Sequence, residues 1–86
     1  MDRKDIYSKL NEIFEDVLDL DETPNLTDST SANDIEAWDS LSHVQIVVAV
    51  EKAFKIKFKA VEMISWDTVG EMVDCILSKI ELEYGF

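Results

Sequence analysis

The residues whose types and spacing suit chemistry are gathered in Trp38-Asp39-Ser40-Leu41-Ser42-His43-Val44. Three chemistries fit a serine placed there. Residues at i and i+3 of a helix can meet, so Ser40 as a nucleophile with His43 as its base is the first. Nothing obvious orients His43, however, and the Gly-x-Ser-x-Gly elbow is missing. The second is a serine that merely helps to close a helix end, the commonest use of the residue. The third follows from Asp39, a good N-cap residue after which apolar periodicity begins. Ser40 then falls in the first helical turn, beside unpaired backbone N–H groups and the positive end of the helix dipole. An anionic phosphoester on that hydroxyl would be stabilised by both.

No other reactive group competes. His43 is the single histidine and Cys75 the single cysteine, so neither a clustered metal site nor a catalytic pair is predicted. Asp19-Leu20-Asp21-Glu22 opens like a calcium loop, but Pro24 and Thr30 occupy the positions that demand glycine and glutamate. No residue is assigned a catalytic role, and no metal ligand is assigned.

The element that positions Ser40 is a helix running on to Phe54. At 100° per residue it carries two apolar stripes: Ile46, Val47, Val50, Ala53 and Phe54 form one, and Leu41, Val44 and Val48 form another. A surface helix buries only one stripe in its own core, so the second reads as a docking surface with Asp39 and Glu51 at its rim. Ahead of it, Ile6, Tyr7, Leu10, Ile13, Phe14, Val17 and Leu18 predict an amphipathic helix from about residue 3 to 19. The connection Leu20–Asp39 is long for a small domain and needs pins, for which Leu26, Ile35 and Trp38 are the candidates.

Phe54-Lys55-Ile56-Lys57-Phe58-Lys59 alternates like a strand but has no partner strand. It is read as an extended connector that inserts Ile56 and Phe58 into the core. Ala60–Ile64 predicts a short third helix. A last helix opens on the capping box Thr68…Glu71, with Val69, Val73, Ile76, Leu77, Ile80 and Tyr84 on one face. The expected fold is all-α: a small antiparallel four-helix bundle of three main helices and one short one, with residues 1–86 as a single domain.

Asp39-Ser40-Leu41 at a helix start, with Trp38 before it and this helix order around it, resembles the acyl carrier protein family. The resemblance implies 4′-phosphopantetheine attached to Ser40 and donated by coenzyme A, with Asp39 and Leu41 as the flanking motif. It implies a carrier without catalysis of its own, which presents acyl thioesters to enzymes of fatty-acid, polyketide or related lipid biosynthesis. Leu41, Val44, Val48 and Glu51 would form the partner face. The partners implied are a phosphopantetheinyl transferase and acyl-loading, ketosynthase or acyltransferase-type enzymes with basic docking surfaces. The face positions Ser42, Gln45 and Lys52, often acidic in fatty-acid carriers, point to a discrete carrier for a specialised pathway. An aminoacyl or peptidyl carrier is the alternative within the class; an unmodified acidic interaction domain is the alternative outside it.

Composition bounds the rest. Eighty-six residues make one domain with little room for an enclosed active site. The formal charge is −11, and residues 1–39 hold twelve carboxylates against three basic residues, whereas 40–86 hold seven against five. Nucleic acid is excluded as a partner by the lack of a basic stripe, whereas basic surfaces would be steered in. One cysteine, a charged amino terminus and no apolar run long enough to span a bilayer predict a cytoplasmic monomer that does not insert in membranes. Met1 and the complete helix set predict a free-standing protein.

Overall fold

In the computed structural model, which describes the backbone of residues 2–84 and the side chains of residues 2–80, Arg3–Val17 form helix α1. Its start is closed reciprocally: Asp2 accepts from the Asp5 amide at 2.9 Å, and the Asp5 carboxylate accepts from the Asp2 amide at 3.3 Å. Ile6, Leu10, Ile13 and Phe14 are buried along one side, as their spacing predicts. The helix stops two residues short of the expected end because Asp19 takes a left-handed backbone (φ 52°).

Helix α2 spans Ser40–Phe54, α3 the four residues Ala60–Met63, and α4 Val69–Tyr84. A single 3-10 turn at Ala32–Asp34 interrupts the long connection, and no strand occurs among the described residues. Helix α1 packs against both α2 and α4. The core between them joins Phe14, Ile46, Val50, Ile56, Val73 and Ile76, all at most 2% exposed.

The connection is held where expected. Leu26 and Trp38 are buried and Ile35 is half-buried. Polar ties add to the apolar pins. Asn11 Oδ1 accepts from the Leu26 amide at 2.9 Å. Arg3 donates to Asp28 and to Asp74, both at 2.7 Å, clamping the connection between the start of α1 and α4. The Tyr7 hydroxyl donates to the same Asp28 carboxylate. The amides of Val69 and Gly70, opening α4, donate to the carbonyls of Thr30 and Asp28.

Helix α2 ends with Lys55 in the left-handed region (φ 57°, ψ 48°), and the Ile56 amide returns to the Glu51 carbonyl at 3.1 Å. That turn lays the alternating segment across the bundle, with Ile56 buried, Phe58 half-buried, and Lys57 and Lys59 in solvent. Thr68 and Glu71 make the expected capping box of α4. Two apolar residues depart from the expected pattern. Ala53, assigned to the buried stripe of α2, is exposed in the last turn of the helix. Met72, not assigned to the α4 face, is 1% exposed. Tyr84, expected on that face, lies outside the described side chains.

Candidate functional site

Asp39 and Ser42 close the amino end of α2 between themselves. Asp39 has extended backbone (φ −122°, ψ −171°), and its carboxylate accepts from the Ser42 amide at 2.9 Å. The Ser42 hydroxyl accepts from the Asp39 amide at 2.8 Å and donates to the Ala37 carbonyl at 2.9 Å. The Ser42 amide, and then its hydroxyl, hold the Asp39 carboxyl below the usual carboxylate range. The sequence reading placed Ser42 on the partner face and missed this role. The usable signal was the spacing of Asp39 and Ser42, a short polar side chain at the third helical position where glutamate is the common choice.

Ser40 is the first residue of the helix. It is exposed, and among the described residues its hydroxyl has no hydrogen-bond partner. All the local capping is done by its neighbours, so its oxygen is free for chemistry. Asp39 stays ionised beside it, but with its charge turned back into the cap.

Leu41, Val44 and Val48 are 71%, 53% and 43% exposed, while Ile46 and Val47 behind them are buried. One helix thus presents two apolar faces, and the bundle uses one. Glu51 is half-buried, and its Oε2 accepts from the Phe58 amide at 2.8 Å, so this carboxylate anchors the connector. Val61 of helix α3 and Ile64, the residue that follows the helix, add two exposed apolar side chains. Sequence pattern could not mark them, because four residues make too short a helix to show a periodic face.

A cleft of about 460 Å³ opens beside Ser40. Trp38, Asp39, Ser40 and His43 form one wall, Met63 and Ile64 at the end of α3 another, and Trp66, Asp67 and Ala32 complete it. His43 is half-buried and satisfied: it accepts from Trp38 Nε1 through Nδ1 at 3.1 Å, and its Nε2 meets the Met63 carbonyl at 3.1 Å. The carbonyl can only accept, so Nε2 carries the proton. With one ring nitrogen accepting and the other donating, the imidazole has no lone pair to offer Ser40.

Cys75 is half-buried, with its thiol directed at Glu62 Oε2 (3.8 Å). Burial, followed by the Glu62 carboxylate, pushes this thiol up, away from the reactive thiolate.

Comparison with known proteins agrees with this architecture. The sequence profile of a family described as "Phosphopantetheine attachment site" matches residues 8–76. The chain is 35% identical to the acyl carrier protein of Rubrobacter xylanophilus, across 90% of this chain and 94% of that one. It is 36% identical to that of Borreliella burgdorferi (88% and 94%), and 35% identical to that of Guillardia theta (93% and 98%). The solution NMR structure of the holo acyl carrier protein from Geobacter metallireducens superposes with a TM-score of 0.80, at 41% identity and 93% coverage of each chain. Helix order, profile and relatives coincide over nearly the whole length: the chain belongs to the acyl carrier protein family, with phosphopantetheine as its prosthetic group.

Proposed function

We propose that Ser40 is the attachment point of 4′-phosphopantetheine, and that the chain presents acyl cargo to successive enzymes without catalysing a reaction itself. The observation that carries this reading is the exposed, unbonded Ser40 hydroxyl at the first position of a helix whose cap is already complete. The site fits the group. The hydroxyl is accessible for a phosphodiester, the helix dipole favours its negative charge, and the adjoining cleft has an apolar lining. When bound, the group supplies a terminal thiol that holds an acyl chain as a thioester.

The chain's own residues then do three things. Asp39 and Ser42 keep the helix start rigid under the attachment point. Leu41, Val44 and Val48 offer apolar contact next to it, so that an enzyme gripping this face has the cargo nearby. The tether raises the effective concentration of cargo at each docked partner. Catalysis by Ser40 itself is disfavoured, because His43 spends both ring nitrogens on Trp38 and Met63.

The partners we infer are a phosphopantetheinyl transferase, followed by acyl-loading, ketosynthase or acyltransferase-type enzymes acting in the cytoplasm on a monomeric, single-domain carrier. Its pathway is read as a specialised one. Ser42 is committed to the cap, and exposed Lys52, Lys57 and Lys59 replace acid along α2 and beyond it. No helix among the described residues is long and apolar enough to cross a membrane.

Incubation with coenzyme A and a promiscuous phosphopantetheinyl transferase, read by intact mass, tests the assignment. One addition is expected on the wild type and on Ser42→Ala, and none on Ser40→Ala. An unmodified wild type, or a Ser40→Ala protein that still gains the mass, overturns it.

A further inference from the structure

The basic residues are unevenly placed. Residues 52–59 hold Lys52, Lys55, Lys57 and Lys59 and no carboxylate, half of the eight basic residues of the chain. That stretch carries +4, while the remainder of a chain of net charge −11 carries −15. Elsewhere the basic side chains are mostly spent: Arg3 pairs with Asp28 and Asp74, Lys9 with Glu12, and Lys79 with Glu62. Lys52 and Lys57 are exposed, and among the described residues neither side chain meets a carboxylate. A cation in the last turn complements the helix dipole, which accounts for Lys52. It does not account for Lys57, which lies beyond the helix and faces solvent because Ile56 and Phe58 on either side turn inward.

Both lysines stand at the far end of the exposed apolar face of α2. At 100° per residue Leu41, Val48 and Lys52 fall in one line, with Val44 alongside. Lys52 lies twelve residues beyond Ser40, about 18 Å at the rise of an α-helix. The Phe58 amide rests on Glu51 at 2.8 Å, so the peptide that follows Lys57 is held against the same end of the helix. Acid stands at the opposite end: Glu36 and Asp39 are exposed just ahead of α2, as is Asp67 across the cleft. Glu51, the one carboxylate within α2, is committed to the connector.

We propose that this face is bipolar and docks on an enzyme surface with basic side chains beside its active-site entrance, then an apolar strip, then acidic side chains about 18 Å farther on, opposite Lys52 and Lys57. That the entrance meets the Ser40 end rests on the carrier reading above; the partner's acidic patch rests on the lysines alone. A uniformly basic partner would set like charges against Lys52 and Lys57. A bipolar one satisfies both ends and admits the helix in a single direction. Direction matters, because a reversed helix would carry Ser40 away from the entrance by the length of α2. A bilayer of anionic lipid would attract the lysines but repel the −15 borne by the rest of the chain, so a protein surface is the better fit.

Two synthetic amphipathic helical peptides with the same leucine stripe test the proposal. One has lysines at one end and glutamates at the other; the second has lysines at both ends. Fluorescence anisotropy with the full unmodified chain at low salt should show the first peptide binding about fivefold tighter, the ratio that two exposed ion pairs supply. Lys52→Glu and Lys57→Glu together should reverse the order, and about 1 M salt should abolish it. Carbodiimide coupling, read by mass spectrometry of digests, should join the glutamate end of the peptide to Lys52 or Lys57. Equal affinities, a preference for the all-lysine peptide, coupling confined to other lysines, or no binding of either peptide up to about 1 mM overturns the proposal. So does binding of the wild type to phosphatidylglycerol vesicles that the double variant loses, which would assign the lysines to a lipid surface. The preference is read without modification, so it can fail while Ser40 still gains the arm, and Ser40→Ala should bind both peptides as the wild type does.

Discussion

The amide of Gly70 donates to the carbonyl of Asp28 at 3.1 Å, and a Cβ built on Gly70 would stand 2.7 Å from that same oxygen. The first turn of α4 thus lies directly on the backbone of the long connection, and only a residue without a side chain permits the approach. The atom in the way is a main-chain carbonyl, which cannot swing aside. Gly70→Ala should destabilise the protein by about 1–3 kcal/mol, the usual range for forced overpacking. In a domain of this size each kcal/mol lowers Tm by roughly 4–8 °C, so a thermal melt reads it directly.

The two apolar faces of α2 should separate stability from function. Ile46 is fully buried, and Ile46→Ala is expected to cost about 2–5 kcal/mol. Val48 is 43% exposed, and Val48→Glu should stay within about 0.5 kcal/mol of the wild type while slowing acyl transfer by a partner enzyme. Melting curves beside a loading assay check both. A Val48→Glu protein that melts like Ile46→Ala would place the second face in the core.

Acid should loosen the clamp at Asp28. The Tyr7 hydroxyl, and then the Arg3 guanidinium, lower the Asp28 pKa from its ordinary value. A carboxyl whose pKa is lower in the folded state contributes stability above its unfolded value of about 3.9, and that contribution is lost as pH falls through the folded value. Asp39 and Glu62 are shifted in the same direction, Asp39 first by the Ser42 amide and Glu62 first by the Lys59 amide. Protonation also relieves the self-repulsion of a chain with charge −11, which opposes the loss. The clean observable is therefore a comparison: between pH 7 and pH 3, Tm should fall less for Asp28→Asn than for the wild type. At the alkaline end the sign reverses. Burial, and then Asp28, push the Tyr7 hydroxyl up to about 12, so its contribution disappears as pH rises toward that value.

Cys75 should resist alkylation in the folded protein. Burial, and next the Glu62 carboxylate, disfavour the thiolate. Reaction with iodoacetamide near pH 8 is expected to be at least about tenfold slower than in urea, since only the thiolate attacks. Glu62→Gln should recover part of the difference, as followed by mass.

Much of this was legible in the sequence because it rests on period and on local caps. The buried side of α1, the double stripe of α2, the capping box at Thr68 and Glu71, and the seat of Ser40 one residue after Asp39 all follow from spacing within one or two turns. What escaped depends on segments far apart in the chain. His43 meets a carbonyl twenty residues later, and Arg3 meets Asp28 and Asp74, contacts that exist only once the connection has been laid down. Glu51 looks like one more surface carboxylate until the left-handed turn at Lys55 brings the Phe58 amide to it. The cleft at Ser40 has no sequence signature, because its far wall is contributed by the link after α3.

The reciprocal bonds between Asp39 and Ser42 have a bearing on how the protein matures. A helix end sealed by its own side chains has no need of an incoming anion to finish it. On the carrier reading proposed above, a modifying enzyme would meet a helix start that is already assembled.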